Sequence, residues 1–175
     1  MTNPSRTCAL GLVLLVVCSA LSTHAVAQGG GDTRARMLGA WRLESRTVRK
    51  ASGEILRDAV LGAEPPGRLF YDGSGNMSLQ MMRPDRAQAI SVPSNAQDAK
   101  NPRVILGYDS YFGTFRLNQP AGTVIHHVEG SLFPEDLGKD FERLITVDGD
   151  RLTLGFTSKA PEGDITRTLV FRKFR

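Results

Sequence analysis

The sequence predicts an all-β protein: an eight-stranded antiparallel barrel behind an N-terminal signal peptide. Two observations predict the barrel. Apolar and polar residues alternate with a period of two along most of the chain, and tight-turn residues such as those at 72–75 and 148–150 separate the alternating runs. Eight short strands leave exposed edges unless the sheet closes. An eight-stranded closure gives an interior that is either filled by side chains or able to hold one small ligand.

The first 27 residues have the pattern of an export signal. Arg6 gives a positively charged start, an apolar run follows over residues 9–21, and Ala25-Val26-Ala27 fits the small-x-small pattern at which signal peptidase cuts. The apolar run is shorter than the roughly 20 residues of a membrane-spanning helix. We therefore expect cleavage near Ala27, a periplasmic or secreted mature protein, and no transmembrane segment in that mature form.

The composition of the mature domain argues against several classes of function. Cleavage would remove both cysteines, Cys8 and Cys18, and with them any disulfide, thiolate nucleophile or sulfur ligand for a metal. The basic residues alternate with apolar ones and form no stripe with stacking aromatic rings, which argues against nucleic-acid binding. The sequence has no phosphate loop, dinucleotide fingerprint or His-Glu-x-x-His motif, so it indicates no cofactor.

The domain is predicted over residues 37–175, after a short flexible leader at 28–36. In the first strand Trp41, Leu43, Ser45 and Thr47 alternate with charged residues. The eight predicted strands are 41–47, 67–71, 76–82, 111–117, 123–131, 141–147, 151–156 and 164–174. Residues 84–108 lack the alternation, and we expect a long loop there, of a length that often serves as a lid or binding loop.

Several motifs resemble those of the bacterial and fungal lipocalin-like domain family, a branch of the calycin-type barrels. They are Leu38-Gly39-Ala40-Trp41-Arg42-Leu43, Met82-Arg83-Pro84-Asp85-Arg86, Tyr111-Phe112-Gly113-Thr114-Phe115, His126-His127-Val128-Glu129-Gly130-Ser131-Leu132-Phe133-Pro134 and Gly149-Asp150-Arg151-Leu152-Thr153-Leu154. The resemblance spans about residues 37–174. It implies a lipocalin-like barrel in which Trp41 packs at the closed end beneath an arginine of the last strand, a role that Arg172 would fill. It implies no catalytic residues.

Two adjacent histidines, His126 and His127, are the only ones that cleavage would leave. Neighbours on a strand point to opposite faces, so the two cannot readily bind one ion together, and no metal site is predicted. The row that contains Val124, His126 and Val128 is the more apolar, which favours His126 for the interior. An inward histidine can orient a ligand or transfer a proton near neutral pH. It can equally be a core histidine with satisfied hydrogen bonds.

Five further residues are candidates for a ligand-binding site. Tyr108, Tyr111 and Phe112 lie where the long loop meets a strand, and amphipathic rings suit the mouth of a barrel, although ordinary rim packing would also explain them. Arg83 could bind the nearby loop carboxylate and hold the loop, or attract an anionic ligand. Met81 could line an adaptable pocket, or simply belong to the core.

Three functions are compatible with these features. We favour an exported barrel that binds a small, mostly apolar molecule, which predicts a wide, largely apolar cavity. The first alternative is a small enzyme of cyclase or isomerase type that transfers a proton through His126, assisted by Tyr111 or Glu129. The second is a structural or interaction module with an exposed apolar patch. The sequence does not predict the oligomeric state.

Overall fold

The fold is built from antiparallel strands, with one short helix before the first of them. A computed structural model describes residues 30–58, 61–62, 64–86, 107–159 and 163–175. The elements are α1 Gly30–Met37, β1 Gly39–Lys50, β2 Ile55–Leu56, β3 Gly67–Tyr71, β4 Asn76–Met82, β5 Tyr108–Asn118, β6 Thr123–Ser131, a 3-10 turn Pro134–Asp136, β7 Asp140–Asp148, β8 Arg151–Ser158 and β9 Ile165–Lys173. Within these ranges, no helix has the length and apolar character needed to cross a membrane.

Strand pairing closes the sheet into a barrel. β1 pairs with β3, each later strand pairs with the next, and β9 returns to pair with β1 along most of its length. β2 adds only two residues beside the end of β1, so the barrel itself has eight strands. The predicted eight-stranded antiparallel barrel is confirmed. The closing register sets Trp41 opposite Lys173 and Lys50 opposite Ile165.

The two ends of the barrel are built differently. One end, the closed end, carries α1 and the tight turns at residues 72–75, 119–122 and 148–150. The opposite end, called the far end below, carries the longer connections from β1 to β3, β4 to β5, β6 to β7 and β8 to β9. Long connections at one end are where a barrel of this kind can admit a ligand.

Helix α1, Gly30–Met37, overlaps the segment 28–36 for which the sequence predicted a short flexible leader. The helix is held by the barrel, since its own composition is a weak helix former. Met37 at its end is fully buried, and the Trp41 indole donates a hydrogen bond of 2.8 Å to the Met37 carbonyl. Arg36 donates to a carbonyl of β7. Tertiary contacts therefore override the local sequence here.

The cation above Trp41 is Lys173, whereas the family resemblance suggested Arg172. The Lys173 ammonium lies 5.1 Å from the centre of the Trp41 rings, because these two residues face each other across the β1–β9 pairing. Arg172, one residue away, therefore points to the outside of the barrel. There it binds the carboxylates of Glu44 and Asp150.

A bulge in β1 changes which residues face the interior. The register with β9 shifts between Leu43 and Ser45, so the alternation restarts one residue later. Arg46 and Val48 consequently share the inner face with Leu43, whereas the strict alternation read from the sequence gave that face to Ser45 and Thr47. Val48 is buried and Arg46 is largely so. The bulge thus turns a charged side chain into the barrel.

The core contains buried side chains from all eight barrel strands. The large, fully buried members include Trp41, Leu69, Tyr71 and Phe171. Leu61, from the connection between β2 and β3, joins the same core and is only 2% exposed. Side chains therefore fill most of the interior, and this limits the size of any group that can enter.

Candidate functional site

A small cavity lies inside the barrel, in the half nearer the far end. Its volume is about 40 Å³. One water-sized group needs roughly 10–15 Å³ by this measure, so the cavity has room for about three non-hydrogen atoms. Its apolar lining comes from Leu79, Met81, Leu154, Phe156 and Leu169. Its polar lining comes from Arg46, Asp109, Tyr111 and Arg143.

This cavity differs from the wide, largely apolar one that the sequence predicted. It is narrow because aromatic and methionine side chains fill the closed half of the barrel, Tyr71, Met77 and Phe115 among them. It is partly polar because two arginines and a carboxylate face inward. A pocket that combines apolar walls with a few converging polar groups is typical of small-molecule sites.

Directly behind the cavity wall, His126 bridges two tyrosines. It is fully buried, which confirms the prediction that it, and not His127, faces the interior. Its Nε2 atom lies 2.7 Å from the Tyr71 hydroxyl oxygen, and its Nδ1 atom lies 2.9 Å from the Tyr111 hydroxyl oxygen. Both ring nitrogens are therefore satisfied, and both hydroxyls have a partner. Of the three residues, only Tyr111 reaches the cavity.

Burial keeps this network uncharged. Desolvation, reinforced by the nearby Arg143 guanidinium, lowers the pKa of His126 to about 3. Desolvation also raises the pKa of Tyr111 to about 12 and that of Tyr71 well above its ordinary value. At neutral pH the imidazole is therefore neutral and both phenols are protonated. The lowered pKa keeps His126 neutral near pH 7, and its hydrogen bond holds the Tyr111 hydroxyl in place.

Arg143 on β7 packs against two aromatic rings. Its guanidinium carbon lies 3.8 Å from the centre of the Phe156 ring and 4.9 Å from that of Phe141. Stacking on aromatic faces stabilises a guanidinium without neutralising it. The sequence contains a pattern that places Arg143 inside the barrel, because Arg143 alternates in step with the apolar residues Phe141, Ile145 and Val147. An arginine in such a row is expected to face inward.

Arg46 was not a candidate at the sequence level, because the β1 bulge that turns it inward depends on the register with β9. Its side chain is 9% exposed and binds the carboxylate of Asp58. Its Nε atom is buried and, among the described residues, has no hydrogen-bond acceptor. A buried guanidinium with an unsatisfied donor is uncommon in folded proteins and requires an explanation.

Asp109 is the acidic member of the cavity lining, and it too was missed. It lies two residues before Tyr111 on β5, so both side chains point inward. Burial raises the pKa of its carboxyl, against the opposing effect of Arg46 and Arg143. The residue therefore gains a proton more readily than an exposed aspartate does.

The remaining ligand-site candidates divide into residues that line the cavity and residues that do not. Met81 and Tyr111 line it, in agreement with their candidacy. Phe112 is 57% exposed on the outer face of β5, because its neighbour Tyr111 points inward. Phe112 therefore does not line this cavity, and its role at the mouth of the barrel stays a prediction. Tyr108 is half-buried outside the cavity, where its ring lies 5.4 Å from the Arg86 guanidinium carbon.

Of the two roles predicted for Arg83, the structure shows the one in which it binds a loop carboxylate. It makes a bidentate contact with Asp85, at 2.7 and 3.1 Å, which lowers the pKa of the Asp85 carboxyl. Its backbone N–H donates to the Gly107 carbonyl at 2.8 Å and so joins the two ends of the β4–β5 connection. Most of the predicted loop at 84–108 lies outside the described residues.

Glu129 cannot assist chemistry at His126. The register between β5 and β6 shifts at Phe112 and Gly113, which leaves Glu129 as an extra residue on an exposed bulge. His127 also points outward, where its Nδ1 atom lies 2.9 Å from Asp140. In the part of the chain that the structure describes, no three His, Cys, Asp or Glu side chains come together in a way that could hold a metal ion.

Comparison with known proteins agrees with the barrel and its motifs. A family model for the lipocalin-like domain matches residues 38–174, which include every strand from β1 to β9. A search of curated proteins found no match. Barrels of the lipocalin type are, in general, a ligand-binding fold. The chain belongs to the lipocalin-like domain family.

Proposed function

We propose that this protein is an exported carrier or scavenger that takes the polar end of a small amphipathic molecule into the barrel cavity. One observation supports this above all: five apolar side chains and four polar ones converge on a single internal cavity. Apolar walls provide affinity, and a few fixed polar groups orient the ligand. The proposal keeps the mostly apolar ligand suggested by the sequence and adds a polar group at one end.

The size of the cavity defines how such a ligand would sit. A volume of about 40 Å³ admits a head group of only a few non-hydrogen atoms. The apolar body must then extend toward the far end of the barrel. Leu61 covers the core from that end, and its N–H donates to Asp58, the partner of Arg46. We propose that the body of the ligand takes the place of Leu61.

Native mass spectrometry of the exported protein, with paired variants, tests this proposal. Met81→Trp fills the cavity, whereas Gln80→Trp adds the same ring to the outer face of the same strand. We expect a reproducible added mass on the wild type and on Gln80→Trp, and its loss from Met81→Trp. Circular dichroism checks that both variants fold. An added mass that persists in Met81→Trp would contradict binding in this cavity.

Export is a separate part of the proposal and rests on the first 27 residues. Intact-mass measurement of protein from the medium or the periplasm tests it. The expected product begins near Gln28 and contains no cysteine. A product that retains the apolar run at residues 9–21 would contradict cleavage and favour a retained anchor.

The proton-transfer alternative has less support from the same geometry. His126 does not line the cavity, and its lowered pKa keeps it neutral over the physiological range. A general acid or base works best with a pKa near the operating pH. Glu129, one of the two proposed assistants, is exposed on the outside of the barrel. The network around His126 is better explained as a support for Tyr111.

A further inference from the structure

Three arginines point into the half of the barrel near the far end: Arg46 on β1, Arg143 on β7 and Arg167 on β9. Arg46 and Arg167 occupy inward positions in the β1–β9 register, and Arg143 lies in the inward row of β7. Burial lowers the pKa of Arg167, and the positive charges of Arg46 and Arg143 lower it further, so the three guanidinium groups interact electrostatically. Within the described residues, two carboxylates, Asp58 and Asp109, face these arginines directly. Counted over the described residues alone, these inward groups carry one positive charge in excess.

A third carboxylate nearby does not change this balance. Asp136 acts electrostatically on Asp109 and Tyr111, but it is bound by the Lys139 ammonium at 3.1 Å. The pair adds no net charge. An uncompensated cation in a poorly hydrated interior is unfavourable, which points to an anion as the missing partner.

Two of the arginines have unused hydrogen-bond donors at the cavity. The Nε atom of Arg46 is buried with no acceptor among the described residues. Arg143 donates to the Glu142 carbonyl at 3.2 Å, also hydrogen-bonds to the Tyr111 hydroxyl oxygen, and forms no ion pair within the described ranges. A guanidinium has five N–H donors, so further donors remain for a ligand. Both side chains line the cavity, so an acceptor placed there would satisfy them.

The Tyr111 hydroxyl is a further hydrogen-bond donor to the cavity. Tyr71 is fully buried, and in the described chain its hydroxyl has one partner, the Nε2 atom of His126. To use its proton, Tyr71 must donate to Nε2, which places the imidazole proton on Nδ1. Nδ1 then donates to the Tyr111 oxygen. The Tyr111 hydroxyl proton is left to donate into the cavity.

We propose that the cavity is a carboxylate site, in which Arg46, Arg143 and the Tyr111 hydroxyl bind the carboxylate of an otherwise apolar ligand. This inference rests on the proposed function and names the chemical class of its ligand. A carboxylate has three non-hydrogen atoms, so a cavity of about 40 Å³ suits it better than it suits a phosphate group, which has five. Its two oxygens also match the donor geometry of guanidinium groups.

Binding of three matched probes tests the inference. Octanoate, 1-octanol and octylammonium share one apolar chain and differ in the charge of the head group, and nuclear magnetic resonance titration of the exported protein gives each Kd. We expect octanoate to bind at least about tenfold more tightly than 1-octanol, and octylammonium to bind most weakly. Inorganic phosphate alone serves as a fourth probe, and we expect it to bind more weakly than octanoate.

Paired variants connect the preference to the cavity. Arg143→Met should lower the octanoate affinity to about that of 1-octanol. Arg151→Met removes an arginine from the exposed face of β8 and should leave both affinities unchanged. Asp109→Asn removes a like charge from the site and should strengthen octanoate binding a few-fold. That variant keeps the test decisive if Arg143→Met does not fold.

The outcomes distinguish this inference from the function on which it rests. Equal affinities for octanoate and 1-octanol, or an octanoate affinity unchanged by both Asp109→Asn and Arg143→Met, would overturn the carboxylate site and leave the binding function intact. Phosphate binding as tight as that of octanoate would show a general anion site instead, and would overturn the inference as well. If none of the probes binds and native mass spectrometry shows no added mass, the proposed function itself fails.

Discussion

The Tyr71 hydroxyl oxygen and the His126 Nε2 atom lie 2.7 Å apart in the interior, although their strands, β3 and β6, are not neighbours in the sheet. The contact crosses the inside of the barrel and exists only because the sheet is closed. It holds a neutral imidazole in one orientation, and through it the hydroxyl of Tyr111.

Removal of the Tyr71 hydroxyl should therefore destabilise the whole domain. Tyr71→Phe leaves a buried imidazole nitrogen without a partner, and we expect the free energy of unfolding to fall by about 1–3 kcal/mol. Urea denaturation measures this change. Tyr108→Phe removes the same atom from a half-buried ring outside the cavity, and should cost less than about 0.5 kcal/mol. Equal losses in the two variants would contradict a special role for the Tyr71 contact.

His126 should make the protein acid-sensitive. Its pKa is about 3 in the folded protein and about 6.5 in the unfolded chain, so the unfolded state binds the proton more readily between these values. The contribution to stability is fully present above about pH 6.5 and is lost as the pH falls toward 3. It is worth on the order of 1.4 kcal/mol per pKa unit, hence several kcal/mol in all.

Urea midpoints between pH 7.5 and pH 4 check this dependence. His126→Phe removes the titrating group, so its stability should fall less steeply with acidification than that of the wild type. The carboxylates contribute to both curves and cancel in the comparison. Parallel curves would show that His126 is not the acid-sensitive group.

A third prediction concerns the bulge between β5 and β6. A methyl group on Gly113 would lie 1.9 Å from the backbone oxygen of His127, a contact that only a shift of the backbone can relieve. Gly113→Ala should therefore cost about 1–3 kcal/mol or more, or prevent folding. Gly155→Ala, in which the nearest atom is a Leu144 carbon at 3.7 Å, is the matched control and should be close to neutral. Thermal unfolding of the pair decides between strain at the bulge and a general glycine effect.

The positions of Lys173 and Arg172 predict unequal effects from two neighbouring cations. Lys173→Met removes the charge above Trp41 and a hydrogen bond to a carbonyl of α1, and should cost about 1–2 kcal/mol. Arg172→Met breaks exposed ion pairs and should cost less than about 1 kcal/mol. Fluorescence of Trp41, the only tryptophan, follows both unfolding transitions. A larger loss for Arg172→Met would restore the arginine role that the family resemblance suggested.

The strands were predictable from the sequence because the information that specifies them is local. Each barrel strand alternates with a period of two, and each tight hairpin contains residues that tolerate a positive φ, such as Gly75 and Gly149. His126 and Arg143 follow from the same alternation. His126 was assigned to the interior on this basis, and the row of Arg143 carried an equally clear signal.

The remaining site residues depend on contacts that the sequence pattern does not contain. Arg46 faces inward only because of the bulge in β1, and Tyr71 meets His126 only across the closed barrel. Helix α1 forms on a glycine-rich segment because the barrel end holds it. In each case a contact between residues far apart in the sequence determines the structure, and the local sequence pattern does not contain that information.

The pairing of β9 with β1 also sets an order of events during synthesis. A nascent chain that ends before Ile165 has two unpaired strand edges, one on β1 and one on β8. These edges can join only when the last strand has left the ribosome, so the barrel cannot close during translation of the earlier strands. In the proposed export, a chain that reaches the secretion machinery before β9 is made would still have an open sheet. Such a chain would pass through a secretion channel more readily than a closed barrel.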